Sequence, residues 1–245
     1  NRSVGSIRVD VGTAHLIVAE GADFTVACGA TVDADAKLAI YSEGDPTGRS
    51  GQSGDVTFTD DDWKSYDPLG LTDRTCFSGG TLEVHGCYVQ CGQWSSRTGE
   101  AIRNVRTVQY AGELACRSSS FGTCAVNSRV LDIYGGSFEC ESSGRKDGRY
   151  VDKVIAGEQD GVRCVLNVHT GAEVEIWHDG LYFGESSGRS AIDAKLDIRL
   201  DPGVYAWSCQ SGSSAYKLTT VAAYRANPVG RLLFCSSDEE GLPQD

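Results

Sequence analysis

The chain has no methionine, only 5 prolines and 22 basic residues against 34 acidic ones in its 245 positions. Each shortage removes a class of protein. A formal charge of −12 argues against nucleic acid or an anionic membrane surface as a partner, since both need a basic face. No window approaches the roughly 18 apolar residues of a membrane span. Sustained 3.6-residue periodicity is missing; the stretch Gly99–Val108 offers a turn or two of helix at most. G-x-S-x-G nucleophile elbows and Gly-rich phosphate loops are also missing. The chain opens on Asn rather than Met with no signal-like apolar run, so we expect a leader to have been removed from an exported protein.

Glycine, by contrast, is abundant at 30 residues, and with so little proline it describes a β-rich, turn-rich chain of one domain. Cysteine is abundant too. Cys28, Cys76, Cys87, Cys91, Cys116, Cys124, Cys140, Cys164, Cys209 and Cys235 are even in number and spread along the chain. Cys87-x3-Cys91 is the tightest spacing, with no second pair and no histidine at ligand spacing, so a disulfide framework outside the cell is expected rather than a metal site. The sequon Asn1-Arg2-Ser3 makes Asn1 a candidate glycosylation site in an extracellular or cell-surface setting.

Self-similarity orders the rest. TLEVHGCYVQC at Thr81–Cys91 returns 49 residues later as VLDIYGGSFEC at Val130–Cys140. Looser copies are Leu166-x-Val168 with Val174-x-Ile176, Leu196-x-Ile198-x-Leu200 with Val204-x-Ala206, and Leu16-x-Val18 with Phe24-x-Val26-x-Cys28. Repetition at tens of residues marks stacked supersecondary units. We divide the chain into N-terminal strands over 1–42, a loop excursion over 43–80, repeats over 81–209, and C-terminal strands with an acidic tail over 210–245.

Two folds fit strand–Gly–strand units. If Gly135-Gly136 closes a hairpin, Ile133 faces Phe138 and Leu131 faces Cys140, and repetition builds a β-sandwich or jelly roll. If each unit is a bend between parallel strands, like residues stack in columns. Inward columns are then Leu82, Leu131, Leu166, Leu196 and Val84, Ile133, Val168, Ile198; an outward polar column is Glu83, Asp132, Asn167, Asp197. His85 and His169 share one repeat position with Tyr134 between them, which predicts outward ring stacking.

The segments LEVHGCYV and LDIYGGSF resemble the L-x-I-x-G-G-x-F units of right-handed parallel β-helix proteins, both bacterial surface adhesin-type repeats and, more distantly, polysaccharide-active β-helices. The resemblance covers about half the chain. It implies an all-β, right-handed parallel β-helix with a long loop insertion, and either a structural surface protein or a protein acting on extracellular polysaccharide.

For the second, Arg97, Lys146 and Arg189 occupy related positions near Asp147 and Asp152, where a general base and a charge-stabilising group could be assembled; as solvated loop charges they need no function. Asp60, Asp61, Asp62 and Asp67 are the candidate calcium ligands, although they lack a spaced calcium-loop pattern and read more readily as a solvated acidic turn. Trp63, Trp94, Trp177 and Trp207 offer a sugar-stacking strip or simple packing. The first reading is preferred: a disulfide-stabilised structural protein, subunit of a filament or coat, whose partners are copies of itself. Ile7, Val9 and Val11 form a clean terminal strand available for strand-addition assembly.

Overall fold

A computed structural model describes residues 2–44, 54–59, 75–92, 99–118, 124–142, 145–146, 149–150, 153–178, 191–210, 215–228 and 230–236. The chain is nearly all β, organised as one large mixed sheet. Its N-terminal strands are β1 (Arg2–Val4), β2 (Ile7–Val9), β3 (Thr13–Val18), β4 (Asp23–Val26) and β5 (Ala30–Ser42). Then come β6 (Asp55–Phe58), β7 (Phe77–Cys91), β8 (Ile102–Ser118), β9 (Val126–Ile133) and β10 (Gly136–Ser142). Two-residue strands follow at Arg145–Lys146, Arg149–Tyr150, Glu158–Gln159 and Val162–Arg163, which are β11 to β14. The last are β15 (Val165–Val168), β16 (Ala172–His178), β17 (Asp197–Leu200), β18 (Val204–Cys209), β19 (Lys217–Thr219) and β20 (Arg231–Ser236).

Parallel pairing runs in three lanes. In the first, β3, the end of β5, the middle of β7, β8, β9, β15 and β17 follow one another in register. The second joins β1, β4, β6, the end of β7, the end of β8, β10 and β16. The third joins β2 to the starts of β5, β7, β8 and β9, and isolated bridges carry it on to Ile155 and Ile192. The long strands β5, β7 and β8 bend from lane to lane. No hairpin forms at Gly135-Gly136: β9 pairs with β8 and β15, whereas β10 pairs with β8 and β16. The bend itself needs glycine. Gly136 has φ 76°, and a Cβ there would lie 2.1 Å from the carbonyl oxygen of Gly112, itself at φ 85° on the neighbouring strand.

The inward columns exist with altered membership. Leu38, Leu82, Thr107, Leu131, Leu166 and Ile198 are successive register partners, as are Ile40, Val84, Gln109, Ile133, Val168 and Leu200. Leu196 is therefore not in the first column; it precedes β17, and Ile198 takes the place. The 49-residue echo skips a strand, because β8 stands between β7 and β9 with polar residues in both apolar slots. Thr107 and Gln109 are fully buried. Asn104 bonds Thr107, and the Gln109 amide donates to the carbonyls of Gly112 at 3.0 Å and Ser137 at 2.9 Å, which offsets the cost of burying them.

Three further expectations change. Gly99–Val108 leads into β8 rather than a helix. Inside the supposed loop excursion, Val56 and Phe58 on β6 are completely buried, because D-V-T-F alternates over the same core. The C-terminal region after β19 forms a short helix, Val221–Ala226, capped by Thr220, whose hydroxyl accepts from the Ala223 N–H at 3.1 Å.

The expected disulfide framework is not present in this structure. No disulfide joins Cys28, Cys76, Cys87, Cys91, Cys116, Cys124, Cys140, Cys164, Cys209 or Cys235. All but Cys28 are buried. Cys91, Cys116 and Cys140 are successive inward partners in the second lane, above Phe58 and below Ile176. Contact with Cys116, together with burial, pushes the Cys91 thiol well up; burial does the same for Cys116 and Cys140. Such thiols stay protonated and pack as small apolar groups.

Two outcomes check this packing. Thiol titration of the denatured, unreduced protein should find ten thiols per chain, and reductant should leave the unfolding midpoint in place; a titre of two or fewer would restore the framework. Leu131→Ala should lose ~2–5 kcal/mol in urea unfolding.

Candidate functional site

The outer surface of the first lane carries the most ordered arrangement of side chains. Strand alternation sends every second residue outward, and in-register pairing turns those residues into rows. The row nearest the glycine bend is aromatic. His15 on β3, Tyr41 on β5, His85 on β7, Tyr110 on β8, Tyr134 after β9 and His169 after β15 form one continuous stack. Successive ring centroids are 5.6, 4.4, 4.5, 5.4 and 4.1 Å apart, with interplanar angles of 29°, 13°, 21°, 8° and 4°. The outward stacking expected for His85, Tyr134 and His169 is present, and it is longer than those three residues. A register shift between Val84 and His85 sets His85 opposite Ala111, yet Tyr110 still stacks on the His85 ring.

Rings stacked this way spend their faces on one another and show solvent their edges. Tyr110 and Tyr134 remain exposed, so the row presents the edges of these phenol rings. His169 Nδ1 lies 3.1 Å from Asp201 Oδ2 and so closes the row on a carboxylate.

The adjacent row is charged. Ala39, Glu83, Val108, Asp132, Asn167 and Arg199 are register partners. Asp197, expected in this column, pairs with Val165 one row over. Each carboxylate is matched. Lys37 Nζ lies 2.6 Å and His85 Nε2 3.4 Å from the Glu83 carboxylate. Burial, the largest single influence, would raise the Glu83 carboxyl, but hydrogen bonds from Lys37 and His85 outweigh it and hold it below the usual range. Asp132 accepts from Arg106 at 2.6 Å and from Asn167 at 2.6 Å. It is only 4 % exposed, so this outward acid is covered rather than solvated. A carboxylate held ionised by its partners, as Glu83 is, makes a poor general acid.

A neighbouring surface, over the second lane, is richer in acid. Glu113, Glu139, Glu141, Glu173 and Glu175 stand outward there around Arg117 and Arg231. Burial, then Glu139, raises the Glu113 carboxyl; burial, then Glu175, raises Glu173. No group of three or more His, Cys, Asp or Glu among the described residues is arranged to hold a metal.

Most of the sites read from sequence lie outside the described residues. Lys146 lies in the two-residue strand β11, and its side chain is outside the described residues, as are Asn1, Arg97, Asp147, Asp152, Arg189, the candidate calcium ligands Asp60, Asp61, Asp62 and Asp67, and Trp63 and Trp94. Trp177 and Trp207 do not form a strip: β20 separates their strands, and Arg231 covers the Trp177 ring at 4.6 Å. Ile7 and Val9 face inward on β2, and Val11, beyond its end, is 86 % exposed. Tyr41 and Tyr110 were missed because each lies within a strand whose repeat is obscured, β5 by its bend and β8 by Thr107 and Gln109.

No family model matches the chain, and neither curated proteins nor solved structures yield a match.

Asp132→Ala should cost about 1–3 kcal/mol, since it strips a covered acceptor from Arg106 and Asn167; a neutral result would mean the acid is solvated. Glu83 sets a pH dependence. Its carboxyl is lowered on folding, so its contribution is complete above the unfolded value of about 4.3 and is lost as pH falls through the lower native value. Urea midpoints of the native chain and Glu83→Gln should differ at pH 6 and converge in strong acid.

Proposed function

We propose that the chain is a right-handed parallel β-helix serving as a structural or surface protein, and that its N-terminal strand edge is its assembly surface. The lane order supports the helical reading: the chain visits the lanes in rotation, and β5, β7 and β8 carry it round without a hairpin. One observation supports assembly above all. Among the described residues β1, β2 and β3 each pair on one side only, with β4, β5 and β5, while Ile7, Leu16 and Phe24 at that end are only partly buried against the core. Unpaired N–H and C=O groups beside half-covered apolar side chains are what strand addition completes.

β3, T-A-H-L-I-V, carries no proline and no Lys, Arg, Asp or Glu, the residues that ordinarily blunt an edge. An extracellular or cell-surface setting rests on the resemblance to adhesin-type repeats, because the cysteines fill the core rather than staple it. Assembly does not depend on that setting. Binding of polysaccharide on the aromatic row is the weaker reading, since sugars stack on ring faces and these faces are occupied.

Light scattering after size exclusion should find the native chain associated at high concentration. Ile17→Lys, which places a charge at a position 62 % exposed on the edge strand, should give folded monomers whose unfolding midpoint no longer depends on concentration. A native chain that is monomeric at every concentration would overturn the proposal.

A further inference from the structure

We infer that the gap between β16 and β18 is a strand-binding slot, that β20 is its detachable occupant, and that the partner it fits is the same segment of a second copy, delivered by strand exchange. Nothing in this slot depends on the N-terminal edge.

β18 is the strand that should follow β16 in the second lane. In the first lane the corresponding coils touch: β15 and β17 pair directly, with Leu166 beside Ile198 and Val168 beside Leu200. In the second lane β20 lies between β16 and β18, antiparallel to both. The two coils therefore run one strand spacing apart up to the corner and two spacings apart beyond it. The corner itself is tied. His169 Nδ1 lies 3.1 Å from Asp201 Oδ2, and the Thr170 hydroxyl donates to the Pro202 carbonyl at 3.4 Å. Past it, the Gly171 N–H donates to the Ser236 hydroxyl of β20 at 3.0 Å. Gly203 records the gap: a Cβ there would meet nothing within 4 Å, whereas one on Gly135, at the equivalent bend, would lie 2.8 Å from the Tyr110 carbonyl oxygen.

The walls of the gap match each other. Val174, Phe234 and Ala206 stand in line, as do Glu175, Leu233 and Trp207, and Ile176, Leu232 and Ser208. In each line the two wall residues are 32 positions apart, the same offset that joins Leu166 to Ile198 where the coils pair directly. β16 and β18 are thus held in the register in which they would pair with one another. β20 enters as an extra strand rather than as a step of the coil, and its withdrawal lets the walls close with no slip of register.

Side chains make the slot selective. Leu232 and Phe234 point into the core and are fully buried. Arg231, on the outer face, donates to Glu175 at 3.0 Å and covers the Trp177 ring at 4.6 Å. The slot takes an extended antiparallel segment with a leading basic residue and apolar residues at alternate positions. Arg231–Ser236 is the segment shown to fit, and every copy carries one. Such a strand makes the same contacts in its own slot or in another copy's, so concentration decides between them.

Exchange is read by a cross-link. Glu175 and Leu233 face each other across β16 and β20, within disulfide reach for an antiparallel pair. The background is Cys28→Ser, which removes the exposed native cysteine. One full chain carrying Glu175→Cys and another carrying Leu233→Cys are mixed, unfolded in urea with reductant, and refolded together. Oxidised glutathione should then join the two chains, with the bond mapped by peptide mass to positions 175 and 233 and a yield that rises with refolding concentration. Both substitutions on one chain should give the same bond internally on dilute refolding. Absence of that internal bond would overturn the slot. An internal bond with no bond between mixed chains at any concentration would overturn exchange. Association on size exclusion without the 175–233 bond would do so too, while leaving the N-terminal edge reading standing.

Discussion

Every feature of this molecule depends on the in-register hydrogen-bonded ladder between parallel strands. Pairing at about 4.8 Å puts each residue above its equivalent, so one side chain fixes what its neighbours in the column can be. Leucine over leucine fills space without a gap, and a ring over a ring gains face-to-face contact. The same ladder forces glycine at the bend, where the carbonyl of Gly112 passes within reach of any Cβ on Gly136.

Columns tolerate exceptions where partners are at hand. Asn104 bonds Thr107, and main-chain carbonyls accept from the Gln109 amide nitrogen. Cysteine is admitted for the opposite reason: a protonated thiol asks for little, and Cys91, Cys116 and Cys140 succeed one another as small apolar units. On the outer face, each acid beside the aromatic row is matched by Lys37, Arg106, Arg199 or His169, which keeps a stack of like positions from becoming a stack of like charges.

Stacking also makes the two ends special. Interior strands have neighbours on both sides; end strands have one. The C-terminal end turns antiparallel and adds a helix, whereas the N-terminal end leaves three strands and part of the core uncovered.

Much of this was written in the sequence. Period-two alternation gave the strands, the echo of LEVHG in LDIYG gave the columns, and the shared position of His85, Tyr134 and His169 gave the outward stack, because each is a local pattern that survives any arrangement of the strands. What remained hidden was adjacency. That β8 lies between the two best repeats, that Ile198 rather than Leu196 continues the leucine column, that Asp132 is covered, and that nine of the ten cysteines are buried without bonding were decided only when the lanes came together. A residue's neighbours across a parallel ladder are tens of positions away in the chain, and the number of residues in each connection, which no local pattern encodes, sets who they are.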